Sequence, residues 1–432
     1  MPFNSTAPKR RVKYIPKALR WLLIIVSILI VLGFFNIYSA TYYMDLHSGD
    51  SAYYHILNHS IYLILGIIGS VIVSRCNDVF IRKHSLLWVG ITLLLLLAVV
   101  VAGRTVNGAT RWIQIGPVSL QPSEIAKVSG IIWTASYLAP KLDKKEKITI
   151  FYRFFKPFIH SRSKRKSDSF SAMIGYFKPL IAPFIMAVMV LMQPDMGTAG
   201  MIIFFPGFLY IMSGMPIKEI IWGITAAIGG FFLLALIEPY RWDRVIVLWD
   251  PFSHARDLGY QTVQSLIAVG SGGIFGQGLG QGLSKFLYLP EQYTDFAYAV
   301  FSQEFGFIGS VCILILYVAF LCCGFSVARQ LKYTYHALLV YGLTMLISIQ
   351  GIINIAMVIG CFPVTGIPLP FISYGGTSLL INMLAVALIY NTVTKSLYRS
   401  DMEERRTYIA AMEGKLVSLD KISGTVFHPE NK

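Results

Sequence analysis

The sequence predicts an all-α polytopic membrane protein with about ten transmembrane helices and one large extracytoplasmic loop between helices 7 and 8. Of its 432 residues, 55% are hydrophobic and only 14% are charged, against roughly 25% charged residues in a typical soluble domain. Several apolar runs reach the about 20 residues that a helix needs to cross a bilayer. Basic residues are also distributed unevenly between alternate loops.

Ten apolar segments are predicted as transmembrane helices. They lie at 21–43, 56–74, 85–103, 122–139, 179–194, 198–214, 219–238, 304–326, 335–360 and 372–391. The first is too long for the apolar core of a signal peptide and no small-residue cleavage site follows it, so we expect it to remain as a helix. The five cysteines show neither metal-ligand spacing nor a disulfide framework, and we expect them to be small packing residues.

The basic residues predict how these helices are oriented. With the helices placed as above, 30 of the 37 Lys and Arg residues fall on the side of the two termini, six fall in the opposite loops, and Lys127 lies within a helix. Cytoplasmic loops are enriched in Lys and Arg, so both termini are predicted to be cytoplasmic. The tract Lys164-Arg165-Lys166 fits a topology determinant that contacts anionic lipid, and nucleic-acid binding is not expected.

The predicted organisation has three parts. A basic cytoplasmic tail (1–20) precedes a ten-helix membrane domain (21–396), and a cytoplasmic C-terminal tail (397–432) follows. Within the membrane domain, the basic loop 140–178 is cytoplasmic and loop 239–303 is extracytoplasmic. Loops of that length are usually functional or disordered, and the aromatic residues of loop 239–303 favour order. We therefore expect this loop to be the working surface.

A first polar cluster follows the third predicted helix. Arg111 and Trp112 lie at the expected membrane interface, where Arg111 either anchors the chain or binds a pyrophosphate through two hydrogen bonds. Glu124 and Lys127 are three residues apart and share one face of the fourth helix. Because ionisable groups within a membrane are costly, this pair is either a buried structural ion pair or part of the wall of a polar cavity.

A short break at 193–197 separates the fifth and sixth predicted helices. Its acidic residue, Asp195, precedes the apolar run of the sixth helix. Aspartate is a favoured N-cap residue, and an acid at the outer rim of the bundle can also line a site. The two interpretations of Asp195 remain open.

The long loop contains Arg244, a glycine run and a final polar segment that ends near Asp295. The glycine run is not a P-loop, because no Gly-Lys-Ser/Thr closes it. Glycines permit either a close approach to a ligand or a plain turn. Asp295 begins an apolar helical run that Thr294 is predicted to cap. A carboxylate there is either part of the helix start or a general base at a cavity.

The segment 360–378 contains three prolines and several glycines, which exclude a regular helix. Irregular backbone at membrane depth survives only where it is buried in protein or lines a polar cavity. We therefore expect this segment, which includes Ser373, to fold back into the bundle beside loop 239–303.

Six strings of sequence together resemble the SEDS family (shape, elongation, division and sporulation) of the FtsW and RodA type. They follow the family order and cover essentially the whole membrane region: NGATRWIQIG…QPSEIAK, QPDMGTA, YRWDRV…DPF, GYQTVQSLIAVGSGG, GLGQGLSKFLYLPEQYTDF and FPVTGIPLPFISYGGTS. The fifth string is more similar to division-type (FtsW) than to elongation-type (RodA) members. Where many members have two consecutive acids further on, this chain has Gln303-Glu304.

This resemblance implies a peptidoglycan glycosyltransferase that polymerises lipid II on the outer face of the bacterial cytoplasmic membrane, with undecaprenyl pyrophosphate as leaving group. It implies that Asp295 is essential, and we expect Asp295 to be the general base. Arg111 first, then Lys285 and Arg244, are expected to stabilise the negative charge of the departing pyrophosphate. A single displacement of this kind inverts the anomeric carbon.

Glu291, Ser373, Glu124 and Lys127 complete the predicted substrate-binding set. No dedicated metal cluster is visible, so no cofactor is expected to be obligatory, although Mg²⁺ or Mn²⁺ could assist the pyrophosphate. The expected partners are lipid II, a class B penicillin-binding protein transpeptidase, other division proteins and membrane lipids, at the division septum. Two alternatives remain open: a lipid II flippase, and a scaffold that recruits the transpeptidase.

Overall fold

The computed structural model describes residues 15–49, 51–106, 109–116, 118–146, 148, 166–237, 239–286 and 289–423. Its helices are α1 (Lys17–His47), α2 (Tyr54–Arg75), α3 (Asp78–Lys83), α4 (Ser85–Ala102), α5 (Pro122–Asp143), α6 (Lys166–Leu191), α7 (Met196–Met212), α8 (Ile217–Ile237), α9 (Pro239–Trp249), α10 (Tyr260–Ser271), α11 (Ala297–Arg329), α12 (Thr334–Val358) and α13 (Gly376–Ser423). Most of the predicted tail 1–20, the Lys164-Arg165 tract and the last nine residues lie outside the described residues.

The described helices confirm the membrane class. Seven of them are long and apolar enough to cross a membrane, namely α1, α2, α4, α8, α11, α12 and α13. Phe177–Leu191 in α6 and Met196–Met212 in α7 are shorter apolar helices, and α5 carries Glu124 and Lys127 near its start. Each of the ten predicted segments overlaps a helix, while the number of membrane crossings stays a prediction.

Several boundaries differ from the predicted ones. The predicted loop 239–303 contains two helices of its own, α9 and α10, and α11 begins at Ala297 rather than at 304. Two other helices extend beyond their predicted segments, since α6 begins at Lys166 rather than at 179 and α13 continues to Ser423 rather than to 391. A hydropathy pattern marks only the apolar part of a helix, so the polar turns beyond that part leave no such signal.

A small antiparallel sheet between α4 and α5 was not predicted. Its strands are β1 (Arg104–Val106), β2 (Ala109–Ile115) and β3 (Val118–Leu120), in the order β1-β2-β3. The dipeptide Asn107-Gly108 between β1 and β2 is a strong hairpin signal in the sequence, although these two residues lie outside the described part of the chain. Arg111 lies on β2, and β3 follows before α5 begins at Pro122.

Glycines allow the spanning helices to approach one another closely. A Cβ atom on Gly69 of α2 would lie 2.8 Å from the side chain of Leu384 in α13. A Cβ atom on Gly351 of α12 would lie 2.6 Å from the ring of Tyr317 in α11. Packing of small residues holds membrane helices together, because lipid tails are as apolar as the side chains themselves.

The glycine run of the long loop packs against a break in α11. This helix is interrupted at Gly306, which has φ 68° and ψ −166°. The Gln277 N–H donates to the Gln303 carbonyl oxygen at 3.0 Å, and the Phe307 N–H donates to the Gly273 carbonyl oxygen at 2.8 Å. The glycines thus permit a close approach of two backbones within the protein. The glycine run and the interrupted part of α11 each donate main-chain hydrogen bonds to the other.

Two neighbouring glycines test this packing. A Cβ atom on Gly272 would overlap the carbonyl oxygen of Ser302, whereas nothing lies within 4 Å of a Cβ atom on Gly270. We expect Gly272→Ala to destabilise the fold by about 1–3 kcal/mol through overpacking. Gly270→Ala should be neutral or slightly stabilising, because alanine favours a helix. Thermal unfolding of the purified variants in detergent measures the difference, and equal midpoints would contradict the packing described above.

Candidate active site

Separate segments of the chain meet around the carboxylate of Asp295. A Cβ atom on Gly366, which has φ +71°, would lie 3.5 Å from Asp295 Oδ2 and 4.0 Å from Arg111 Nη1. The main chain of Gly366 therefore borders both the acid that precedes α11 and the cation on β2. This contact confirms the expected return of segment 360–378 to loop 239–303.

Peptide carbonyls in the break between α6 and α7 hold the Arg111 side chain. Its Nε donates to the Gln193 carbonyl oxygen at 3.2 Å, and its Nη2 donates to the Pro194 carbonyl oxygen. The third nitrogen, Nη1, borders Gly366. One edge of the guanidinium group is thus fixed on the protein, and another edge is directed at the site. The predicted contact with pyrophosphate stays a prediction.

Arg244 approaches the same place from α9. Its Nη1 donates to the carbonyl oxygen of Val364, two residues before Gly366. Arg244 and Arg111 both lower the pKa of Asp295. Two cations from different elements therefore act on one carboxyl group.

Asp295 lies in the loop just before α11, outside the spanning helix. The pKa of Asp295 is raised to about 7. Burial is the largest cause, the charges of Glu291 and Asp195 act in the same direction, and Arg244 and Arg111 oppose them. Protein atoms surround the carboxyl, yet the residue keeps a partly exposed surface. A carboxyl group with a pKa near neutrality suits a general base at physiological pH.

Glu291 shapes the turn that leads to Asp295. It adopts a left-handed φ of 52°, and its Oε2 accepts a hydrogen bond from the Thr294 hydroxyl at 2.7 Å. The predicted helix cap is therefore wrong, because Glu291 engages the Thr294 hydroxyl and Phe296 occupies the N-cap without a side-chain hydrogen bond. Glu291 remains near Asp295 as a second negative charge.

Asp195 caps α7. Its Oδ1 accepts a hydrogen bond from the Thr198 N–H at 3.1 Å, and the residue is buried. This confirms the capping interpretation of the two that the sequence left open. The same charge raises the pKa of Asp295, so a structural cap also contributes to the electrostatics of the site.

The structure places Lys285 in a buried ion pair. Its Nζ lies 3.2 Å from Glu304 Oε1 and 3.4 Å from Ser39 Oγ, and the residue is only 5% exposed. The Ser39 hydroxyl donates to the same carboxylate oxygen. In this arrangement Lys285 ties the end of loop 239–303 to α1 and α11. Its predicted contact with pyrophosphate stays a prediction.

The other predicted substrate-binding residues take part in local structure. Lys127 Nζ lies 2.7 Å from Glu124 Oε1, and both side chains are buried. This pair confirms the shared helix face and favours the structural interpretation over the cavity wall. The hydroxyl of Ser373 accepts a hydrogen bond from the Leu369 N–H at 2.9 Å and closes a turn of the returning segment.

Two polar groups near Asp295 were not among the predicted site residues. Asn354 of α12 donates through Nδ2 to the main-chain oxygens of Asp295 and Ile367, at 2.7 and 2.8 Å. The His55 ring lies 5.1 Å from the ring of Tyr293, two residues before Asp295, and its Nδ1 makes a hydrogen-bond contact with the carboxylate of Asp45. The sequence offered two signals for these groups: Asn354 is a lone amide within an apolar helix, and His55 lies close to an acid at a helix end.

Relatives of this chain are found along most of its length. The FtsW/RodA/SpoVE family model, described as cell cycle protein, matches residues 20–398. The chain is 34% identical over 374 residues to the probable peptidoglycan glycosyltransferase FtsW of Coxiella burnetii, with 85% of this chain and 94% of the relative covered. It is 33% identical over 379 residues to the stage V sporulation protein E of Bacillus subtilis, with 87% and 97% covered.

Solved structures share the fold. A chain from the structure of a peptidoglycan synthase complex superposes with a TM-score of 0.67 at 24% identity, covering 87% of this chain and 97% of that chain. The rod shape determining protein RodA of Thermus thermophilus superposes with a TM-score of 0.60 at 24% identity, covering 87% and 96%. These superpositions establish a shared helical membrane fold. The family model and the relatives above 30% identity show that this chain belongs to the FtsW/RodA/SpoVE family of cell cycle proteins.

Proposed function

We propose that this protein is a peptidoglycan glycosyltransferase that polymerises lipid II into glycan strands on the outer face of the cytoplasmic membrane during cell division. The observation that carries the proposal is the meeting of Asp295 with Arg111 at Gly366, with Arg244 acting on the same carboxyl. A base near neutral pKa beside fixed cations suits transfer of a sugar from a pyrophosphate. Relatives named probable peptidoglycan glycosyltransferase FtsW support this chemistry.

In the proposed reaction, the 4-hydroxyl of the acceptor sugar attacks the anomeric carbon of the donor strand. Asp295 accepts the hydroxyl proton as the new carbon–oxygen bond forms, and afterwards releases it to water. Hydroxyls are weak nucleophiles at neutral pH, and a positioned base contributes typically about 10²–10⁴-fold in rate. The raised pKa of Asp295 makes its carboxylate a stronger base than an ordinary aspartate.

The bond between the anomeric carbon and pyrophosphate breaks, and undecaprenyl pyrophosphate leaves with the electron pair. Arg111 and Arg244 are the cations that stabilise the growing negative charge. Their guanidinium groups are already anchored on carbonyl oxygens, so they need little reorganisation as the charge develops. Lys285 would first have to leave its ion pair with Glu304. Attack opposite the leaving group inverts the anomeric carbon, so a retained α-linkage in the product would refute direct displacement.

The proposed orientation places both termini in the cytoplasm and the Asp295 site outside, because 30 of the 37 basic residues then lie on the cytoplasmic side. The proposed partners are lipid II, a class B penicillin-binding protein, other division proteins at the septum, and membrane lipids. One structural relative comes from a peptidoglycan synthase complex, which supports assembly with a cross-linking enzyme.

We propose that any divalent cation takes part together with the substrate. Among the residues that the structure describes, no group of three or more His, Cys, Asp and Glu side chains is placed to hold a metal ion. Mg²⁺ commonly keeps several water ligands and binds through substrate phosphates with one or two carboxylates. A pyrophosphate near Asp295 and Glu291 would offer such a set. Mg²⁺ or Mn²⁺ is therefore proposed as an assisting ion and not as an obligatory cofactor.

Asp295→Asn tests the proposed activity. The variant keeps the size of the side chain but removes the base, so we expect glycan polymer to fall at least about 100-fold. Wild type and variant are purified with the cognate transpeptidase and supplied with labelled lipid II in liposomes, and the glycan products are resolved by length. Asp257→Asn is the matched control, because Asp257 lies in the same loop with a side chain 67% exposed, and it should polymerise normally.

Lipid II translocation measured in the same liposomes separates the alternatives. Equal polymer from wild type and a folded, partner-bound Asp295→Asn would remove Asp295 from the chemistry. A flippase would translocate lipid II without making polymer. A scaffold would bind the transpeptidase and do neither.

The charges around Asp295 predict how the polymerisation rate depends on pH. Removing a neighbouring charge should move the midpoint of this dependence in a direction set by the sign of that charge. Asp295 must be ionised to accept a proton, so we expect the polymerisation rate to rise with pH through a midpoint at about 7. Glu291→Gln removes a charge that raises this pKa and should move the midpoint to lower pH. Arg244→Gln removes a charge that lowers this pKa and should move the midpoint to higher pH.

Initial rates measured across the neutral pH range, at saturating and at low lipid II, give these midpoints. The opposite directions of the two shifts are the diagnostic result, because a general loss of activity cannot produce them. Midpoints that stay unchanged, or that move in the same direction in both variants, would show that Asp295 is not the group that titrates.

A further inference from the structure

A buried asparagine joins the two irregular segments of the candidate active site. Asn354 on α12 is 0% exposed. Its Nδ2 donates to the main-chain oxygen of Asp295 at 2.7 Å and to the main-chain oxygen of Ile367 at 2.8 Å. Both hydrogens of one amide nitrogen are thereby used, one on each segment.

These two carbonyl groups belong to the walls of the site. Asp295 carries the proposed base, and Ile367 follows Gly366, whose main chain borders both Asp295 Oδ2 and Arg111 Nη1. Neither carbonyl lies in a sheet, and both segments are irregular at these positions. One main-chain bond, from the Tyr374 N–H to the Tyr293 carbonyl oxygen at 2.8 Å, joins the two segments elsewhere. Asn354 joins them at Asp295 and Ile367 themselves.

The other amide contacts near Asp295 hold its turn from a different side. Asn36 of α1 donates to the carbonyl oxygen of Ala297 at 3.0 Å. Gln292 donates to the carbonyl oxygens of Ala40 and Lys285, at 3.2 and 2.9 Å. These bonds fix the turn against α1 and against its own loop. Asn354, by contrast, joins the main chain of Asp295 to the segment of Gly366.

The oxygen of the Asn354 amide carries a cost, and its nitrogen makes the bonds that offset this cost. Asn354 Oδ1 is buried and makes no hydrogen bond within the described part of the chain. A buried unpaired carbonyl oxygen carries a desolvation cost. The two bonds made by Nδ2 are the compensating interactions, and both end on the walls of the site.

We propose that Asn354 is a positioning residue for the glycosyl transfer, setting the Asp295 carboxylate against Gly366 and Arg111 by holding the carbonyl groups of Asp295 and Ile367 on one amide nitrogen. This inference rests on the proposed function. Asn354 acts through the backbone of Asp295 and does not itself touch the reacting atoms. Small displacements of a reacting group cost about 10²-fold in rate, so its removal should act on turnover.

The chain offers a matched control for this amide. Asn391 on α13 is also 0% exposed, and its Nδ2 donates to the carbonyl oxygens of Val73 and Cys76 at 2.8 and 3.0 Å. Its Oδ1 is likewise buried without a partner among the described residues. The bonded carbonyls lie at the end of α2, on the side opposite to the Asp295 loop. Asn391 therefore shares the burial and bonding of Asn354 and differs in location.

The test compares Asn354→Leu with Asn391→Leu, each purified with the cognate transpeptidase and assayed for lipid II polymerisation per folded molecule. Both variants should lose thermal stability to a similar degree. We expect kcat to fall about 10- to 100-fold in Asn354→Leu with KM changed less than about twofold, and to stay near wild type in Asn391→Leu. The pH midpoint of the rate should also move in Asn354→Leu alone.

Equal kcat per folded molecule in the two leucine variants, or a loss confined to KM, would overturn the positioning role. If either leucine variant does not fold, Asn354→Ala and Asn391→Ala replace them, because alanine removes the amide without adding the bulk of leucine or a buried charge. Asp295→Asn is assayed in parallel. Polymer from wild type and none from Asp295→Asn upholds the proposed function, so equal kcat in the paired variants then refutes the role of Asn354 alone.

Discussion

Irregular backbone that is buried away from water must find hydrogen-bond partners within the protein, and this requirement organises the part of the molecule around Asp295. The glycine run after α10 and the break in α11 at Gly306 satisfy one another, as in the bond from the Phe307 N–H to the Gly273 carbonyl oxygen. Side chains larger than glycine would prevent this approach at Gly272 and Gly276. The long loop is therefore fixed to a spanning helix by main-chain bonds.

The same requirement places the charges of the candidate active site. The carbonyl groups of 193–194, Val364 and Ile367 have no regular ladder in which to pair, and Arg111, Arg244 and Asn354 donate to them. Satisfying these carbonyls brings two guanidinium groups and one amide to the surroundings of Asp295. Support of the backbone and assembly of the site are thus achieved by the same hydrogen bonds.

Much of this architecture could be predicted from the sequence. Each apolar run of membrane length overlaps a helix, and the segment 360–375, where prolines and glycines argued against a helix, is irregular up to the start of α13 at Gly376. The sheet carrying Arg111 was missed, although Asn107-Gly108 gave a hairpin signal. The pairing of Lys285 with Glu304 joins residues 19 positions apart across a helix start, and no periodicity indicates such a contact. Asn354 was missed for the same reason, since its partners are main-chain atoms of distant segments.

Two kinds of charge arrangement coexist in this bundle, and the difference between them supports the role proposed for Asp295. Glu124 with Lys127, and Lys285 with Glu304, are buried pairs of one acid and one base. Each pair neutralises itself, and removing a partner would leave a buried charge uncompensated. Around Asp295 two further acids and two arginines act on one carboxyl from different elements, and its pKa remains near 7. A carboxyl group with a pKa near neutrality can take up and release a proton at physiological pH, as the proposed general base requires.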